Sequence, residues 1–254
     1  MLRVNAMPPD SPPLISVIVV CKNPGTRLHS ALASVWNQRG VQPELIVVDG
    51  ASTDGTVPWL ESRRAQIATL ISEPDNGVYA AMNKGLAAAR GEWVLFLGSD
   101  DELGGEIALS EMLAFLRSTG SGVVVGETGY RDGRVYRLAA APRPIARNFV
   151  HHQGAFYRRT LFLENGGFDG SLAIMADYDF NLRLWKNHVR FKPASLRIAT
   201  CSPGGLSDAG RWRGYREEIG VRHRHFAAWR CVAWDALTVI RYLRKKILRS
   251  LASD

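Results

Sequence analysis

Long apolar runs are missing from this 254-residue chain. None approaches the ~20 residues that a membrane-crossing helix needs. The strongest run, LISVIVV at residues 14–20, is far too short and follows a proline-rich, acid-containing lead, so no secretory signal is expected. Cysteine is scarce: 3 residues, Cys21, Cys201 and Cys231, scattered along the chain. Their odd number and lack of metal spacing exclude a disulfide framework and a zinc site, and favour a reducing cytoplasm. No G-x-G-x-x-G and no Walker-type Gly-Lys-Ser/Thr follows the first strand, which argues against a dinucleotide or P-loop site. Internal repeats and low-complexity segments are also absent.

Composition is that of an ordinary globular protein, 46% hydrophobic and 22% charged. The length allows one large domain, or one domain with an appended lobe. The net charge of +8 is placed unevenly. Residues 211–250 hold 11 Lys and Arg against 3 Asp and Glu, so this segment carries the whole excess and the body is neutral. A local basic segment is aimed at phosphates or an anionic surface.

Residues 1–13, with four prolines, read as a mobile leader. After it the pattern alternates. Strands are expected at 14–20, 44–48, 68–72 and 93–97. Helices are expected at 27–38, 57–64, from the NGVYAAMNKG segment to about 89, and at 106–117. Such alternation predicts a mainly parallel sheet covered by helices on both faces. Ligands of these sheets sit at the carboxyl ends of the strands, so loops 21–26, 49–54, 73–78 and 98–102 should converge. The later chain predicts a strand at 122–126, a hairpin turning near Asp132-Gly133, a junction at Pro142 and Pro144, and a short strand at 154–157. A helix from Asp177, one or two strands over 189–200, a glycine loop at 202–208 and helices at 211–228 and 232–251 complete it.

The stretch WVLFLGSDDE, from Trp93 to Glu102, organises the rest. Five apolar residues between glycines read as a buried strand. Two adjacent carboxylates at its end, Asp100 and Asp101, are costly to hold together unless a positive charge neutralises them. A divalent cation carrying a phosphorylated substrate does so, and hard oxygen ligands suit Mg²⁺ or Mn²⁺. The plainer alternative is a solvated turn whose acids cap the next helix.

VVDGASTDGT after the second strand, NGVYAAMNKG opening a helix, GSDD closing a strand, and a later ADYDF stand together in that order. The combination resembles glycosyltransferase family two, the inverting sugar transferases of the GT-A (nucleotide-diphospho-sugar transferase) fold. Within it, the chain is similar to transferases that build bacterial surface polysaccharides. The match runs over about 14–208. It implies a transferase domain there, with a donor-binding half at 14–105, an acceptor half at 106–208, and basic C-terminal helices at 209–254. Asp101 matches the metal-binding end of the family's D-x-D motif, with Ser99 in place of its first Asp. Asp100 matches the middle position, against the donor. Asp49 matches the acid that contacts the nucleoside; the next position, commonly a second Asp, is Gly50. Ala80 is a further departure from a common Asp. Asp177 matches the general base. The implied partners are a UDP- or GDP-sugar and a saccharide or lipid-linked acceptor, and the implied place is the cytoplasm, at the inner face of the membrane.

Elementary chemistry agrees. The leaving diphosphate must be stabilised as its charge grows. The acceptor hydroxyl must lose its proton to a group on the opposite face of the sugar. Asp177, from a distant part of the chain, fits that demand; as the head of a helix it would also serve as an N-cap. Asp179 reads as structural and Asp54 as a brace of its loop. Asn76 and Gly77 form a turn on the donor side, Lys84 is placed to reach a phosphate or to remain solvated, and His152 and Gln153 line the acceptor side.

In the last helix Val232, Ala236, Val239, Ile240, Leu243, Ile247 and Leu251 fall in one stripe, with Arg241, Arg244, Lys245 and Arg249 on another side. The stripe suits either a membrane surface or packing on the body. Two rival functions are a nucleotidyltransferase, which would want more cations after the first strand than Lys22 supplies, and a non-catalytic nucleotide-sugar binder, against which Asp101 and Asp177 both stand. No nucleic-acid partner is expected, since the basic tail lacks interleaved aromatics.

Overall fold

The computed structural model describes residues 14–139, 142–202 and 211–251, with the backbone alone for 249–251. The expected leader and the glycine loop beyond Ser202 lie outside the described residues. The order is β1 (Ile15–Cys21), α1 (Arg27–Trp36), β2 (Glu44–Asp49), α2 (Thr56–Ser62), β3 (Thr69–Ser72), α3 (Val78–Ala88), β4 (Trp93–Gly98), β5 (Glu102–Leu103) and α4 (Ala108–Arg117). Then follow β6 (Val123–Tyr130), β7 (Val135–Tyr136), β8 (Ala155–Arg158), α5 (Thr160–Asn165), α6 (Ala176–Lys186), β9 (Phe191–Cys201), α7 (Trp212–His225) and α8 (Ala228–Leu251). The expected elements form within a few residues of the limits read from sequence. The two-residue β5 and the short α5 were not foreseen, being too brief to show a period.

Among the described residues nine strands make one sheet in the order β3-β2-β1-β4-β8-β6-β9-β5, with β7 on β6. The first four strands named are parallel to one another. The second half is mixed: β8 is antiparallel to β4 and β6, β9 is parallel to β6, and β5 is antiparallel to β9. β7 folds back antiparallel on β6 through a tight turn at Gly133, where φ is +88°.

The continuous apolar runs exist because each face of the sheet is covered. Ile18, Val20, Ile46, Val48 and Phe96 point to one core, shared with α3 and α6. Val17, Val19, Leu45, Val47, Leu95 and Leu97 point to the other, under α1, α2 and α4. Alternate side chains of one strand thus feed two cores. α3 lies so close to the sheet that a Cβ on Gly85 would stand 2.5 Å from Ile18.

Register decides where the site lies. Cys21 is level with Asp49, Asp49 with Ser72, and Val20 with Gly98. Four parallel strands therefore end along one edge, and their loops meet there.

Candidate active site

The first loops are stitched together by their polar residues. The Asn23 N–H donates to Ser52 Oγ at 2.7 Å, and the Thr53 N–H donates back to Asn23 Oδ1 at 2.8 Å. Asp54 accepts from the Gly25 N–H and from both the N–H and hydroxyl of Thr56, so it braces the two loops. Asp49 is fully buried; its Oδ2 accepts from the Ser52 N–H and the Ser72 hydroxyl, and its Oδ1 from the Cys21 thiol. Burial and the Asp49 charge push that thiol's pKa up, which keeps it a donor. Asp49 therefore holds this corner from beneath. Above it the Asp75 carboxylate folds over Gly50, filling the space any side chain at position 50 would need.

Asp75 also accepts the Gly77 N–H at 2.8 Å, which closes the turn through Asn76; Gly77 has φ of +115°, open to glycine at little cost. Lys84 reaches back to this loop, with Nζ 2.8 Å from the Pro74 carbonyl and 2.7 Å from Glu73. It is engaged in holding the loop rather than being solvated.

At the end of β4, Asp100 is partly exposed and Asp101 is buried. Asp101 folds back over Gly98, where a Cβ would stand 2.5 Å from Oδ2. Its Oδ1 accepts the Ser202 N–H at 3.0 Å, and the Ser202 hydroxyl donates to the Asp100 carbonyl. Burial, and then the charge of Asp100, hold the Asp101 carboxyl above the usual range. That electrostatic deficit is what a cation relieves. Among the described residues no cluster of three or more His, Cys, Asp or Glu side chains could hold a metal unaided. One or two carboxylates with the rest of the shell from phosphate and water is the arrangement Mg²⁺ prefers, so these residues fit such an ion.

Asp177 lies in the first turn of α6, one residue beyond its start, and the cap position falls on Met175 without a side-chain bond. The capping role expected of it is not seen. Instead its carboxylate, buried to 6% exposure, gathers donors from separate segments. The Asn148 amide donates to Oδ2 at 2.8 Å, and His152 Nδ1 lies 3.3 Å from the same oxygen. The Tyr79 hydroxyl stands 3.0 Å from Oδ1 and 2.7 Å from the Ile174 carbonyl. A chain continues inward, from Asn148 to Asn181 and from Asn181 to the Tyr157 hydroxyl. Asp179, by contrast, is taken up by Arg183 and His225.

The head of α6 is fixed from outside. Glu217 on α7 accepts the N–H groups of Ala173, Ile174 and Met175. Burial would raise that carboxyl, but the three N–H groups and Arg213 outweigh it and hold it below its usual range. His152 and Gln153 occupy a single turn ahead of β8. Of the two, His152 is the one that touches a carboxylate, that of Asp177. Gln153 is half-buried beside it.

Sequence reasoning missed Tyr79, Asn148, Asp75 and Glu217. Tyr79 sits inside the NGVYAAMNKG segment but reads there as one more apolar helix position. Asn148 lies in an irregular stretch without a motif.

Residues 16–182 match the Glycosyl transferase family 2 domain. A PGL/p-HBAD biosynthesis glycosyltransferase of Mycobacterium tuberculosis is 34% identical over 184 residues, 69% of this chain and 71% of that protein. The succinoglycan biosynthesis protein ExoO of Rhizobium meliloti is 29% identical over 66% of this chain and 55% of its own length. Among solved structures, S. aureus TarS 1–349 in complex with UDP-GlcNAc superposes with a TM-score of 0.65 at 22% identity, over 82% of this chain and 64% of that one. The mannosyltransferase PcManGT of Pyrobaculum calidifontis, in complex with GDP-Man and Mn²⁺, gives 0.62 at 20% identity, over 96% and 81%. The fold is thus GT-A, with additional C-terminal helices. With its matched domain spanning most of the chain, this protein belongs to glycosyl transferase family 2.

Proposed function

We propose that the chain moves a sugar from a UDP- or GDP-linked donor to the hydroxyl of a saccharide or lipid-linked acceptor, in cell-surface glycan synthesis, with inversion at the anomeric carbon. The observation that carries this is the pair of buried carboxylates, Asp177 and Asp101, contributed by the two halves of the chain, with His152 against Asp177. Residues 14–105 take the donor and 106–208 the acceptor. Asp49 and the loop it holds, with Asn76 and Gly77, shape the nucleoside end. Lys84 keeps that loop in place beside the phosphates, and Asp100 lies against the donor sugar.

Asp101 would hold the divalent cation, Mg²⁺ or Mn²⁺. When bound, the ion offsets the charge that grows on the departing diphosphate. Asp177 takes the proton of the attacking hydroxyl; Asn148 and Tyr79 hold its carboxylate in one orientation, which is the condition for acting as a positioned base. His152 and Gln153 wall the acceptor side and keep water from the anomeric carbon. Because the base and the diphosphate lie on opposite faces of the sugar, one displacement inverts the centre. The mycobacterial and rhizobial relatives, named for PGL/p-HBAD and succinoglycan biosynthesis, support this acceptor class. We assign the reaction to the cytoplasmic face of the membrane.

The test is a panel of nucleotide sugars with Mn²⁺ or Mg²⁺, read by thermal shift and by released nucleoside diphosphate. One donor should raise the melting temperature and be cleaved only with metal. If no donor in the panel does either, the assignment fails.

A further inference from the structure

α8 is turned with its polar side in. Its 24 residues make a rod about 36 Å long. Cys231, Asp235, Thr238 and Arg241 face α7 and the body. There the guanidinium of Arg222, fully buried, donates to the carbonyls of Ile145 and Ala146, to Glu218, to Thr238 and to Asp235. Thr238 and Arg241 also donate to Glu218, and His223 meets Asp235. The helix is therefore docked by a charged, hydrogen-bonded seam.

At 100° per residue the side opposite this seam carries Trp229, Val232, Ala236, Ile240, Leu243 and Ile247. These are the residues left in water: Trp229 is 79% exposed, Val232 65%, Ile240 58% and Ile247 60%. Arg244 borders the stripe on one side and Lys246 on the other. Asp235 is the single acid from 228 to 251, and it is spent on Arg222 and His223.

We propose that this outward face is an interfacial helix that seats on an anionic lipid surface. An aromatic and aliphatic stripe between basic borders is what a helix lying in the headgroup region presents, with its apolar side entering the acyl boundary and its cations at the phosphates. A second copy of the chain is the poorer occupant, since two stripes laid face to face would bring the Arg244 and Lys246 rows together. No helix among the described residues is long and apolar enough to cross a membrane, so this contact is peripheral. α7, which receives α8, also holds the 173–175 segment through Glu217, so a seated α8 fixes the Asp177 segment relative to the lipid surface. The proposal needs neither donor nor acceptor, and its outcome is separate from that of the sugar-transfer assay.

The test is sedimentation of the full chain with vesicles of phosphatidylcholine alone and of phosphatidylcholine with phosphatidylglycerol. The protein should pellet with the anionic vesicles at low salt, less as salt rises, and little with the neutral ones. Ile240→Asp with Ile247→Asp should lower the vesicle affinity at least about tenfold, and Arg244→Glu with Lys246→Glu should lower it as well, since both the stripe and its basic borders contribute. All four positions lie off the docking seam, so the melting temperature should hold in both variants. Failure of the intact protein to pellet with anionic vesicles overturns the proposal, as does pelleting that the Ile240/Ile247 variant leaves unchanged. A dimer in solution that the same variant dissolves would assign the face to a second copy instead.

Discussion

Tyr79 and Asp177, 98 positions apart, meet at 3.0 Å. One comes from the helix that follows β3, the other from the helix that precedes β9. Their contact spans the two halves of the chain, and both are buried. Burial, and then the Asp177 charge, raise the tyrosine well above its usual pKa, so the hydroxyl stays protonated as a donor.

Tyr79→Phe should therefore disturb the base without touching the donor. Loss of a hydrogen bond of about 1 kcal/mol predicts a fall in turnover of roughly 5- to 10-fold. Donor affinity by calorimetry should be unchanged. A matching loss of donor affinity would place Tyr79 in the donor pocket.

Asp177→Asn should reduce turnover by roughly 10²–10⁴-fold, the size of a general-base contribution. Release of nucleoside diphosphate in the presence of acceptor reads this out. Donor binding falling in step with turnover would instead assign Asp177 to the donor.

Asp101→Asn separates stability from function. The carboxyl is held above its unfolded pKa by burial and Asp100, so its stabilising effect is complete below the unfolded value and is lost as pH rises through the folded one. Above the unfolded pKa the carboxyl is thus a burden, which the amide lacks, and an amide oxygen can still accept the Ser202 N–H. Without metal the variant should melt at or above the parent's temperature, and the metal-induced shift of the parent should vanish. A metal-induced shift that survives in the variant would move the ion elsewhere.

His151 sets an acid limit on the fold. Burial, and then the neighbouring His152, hold its pKa down to about 4, and it stacks on Tyr136 with ring centres 3.8 Å apart. The unfolded chain binds this proton near its ordinary value, about 6.5. Stability is therefore full above about 6.5 and declines as pH falls toward 4. His151→Phe keeps a stacking ring and should flatten this part of the melting-temperature profile, at the cost of the 2.8 Å contact with the Tyr130 hydroxyl. Equal slopes in both proteins would remove His151 from the account.

Gly50→Asp would drive a side chain onto the Asp75 carboxylate, adding like charge to overpacking. Donor affinity should weaken roughly tenfold, and Asp75→Ala in the same chain should restore much of it. A Gly50→Asp protein that binds donor as the parent does would show that the two carboxylates find room.

The sequence alone determined the alternating strands and helices of the first hundred residues, because buried strands need unbroken apolar runs and amphipathic helices need their period. It also marked Asp49, Asp100 and Asp101 by their place after such runs, and Asp177 by its place in ADYDF at the head of a helix, where the family resemblance puts the base. Tertiary structure decided their company. Periodicity tells which face of a helix is buried but not what it meets, so the approach of Tyr79 and Asn148 to Asp177 and of Asp75 to Gly50 had no signal in the chain. The last helix shows the same division. Its stripe is legible in sequence, yet an apolar stripe is ordinarily the side that turns inward. Here the buried Arg222 decides the matter. An unpaired guanidinium in the interior would cost several kcal/mol, and Asp235 and Thr238, which satisfy it, lie on the polar side of α8. That side is drawn in, and the apolar side is left facing out.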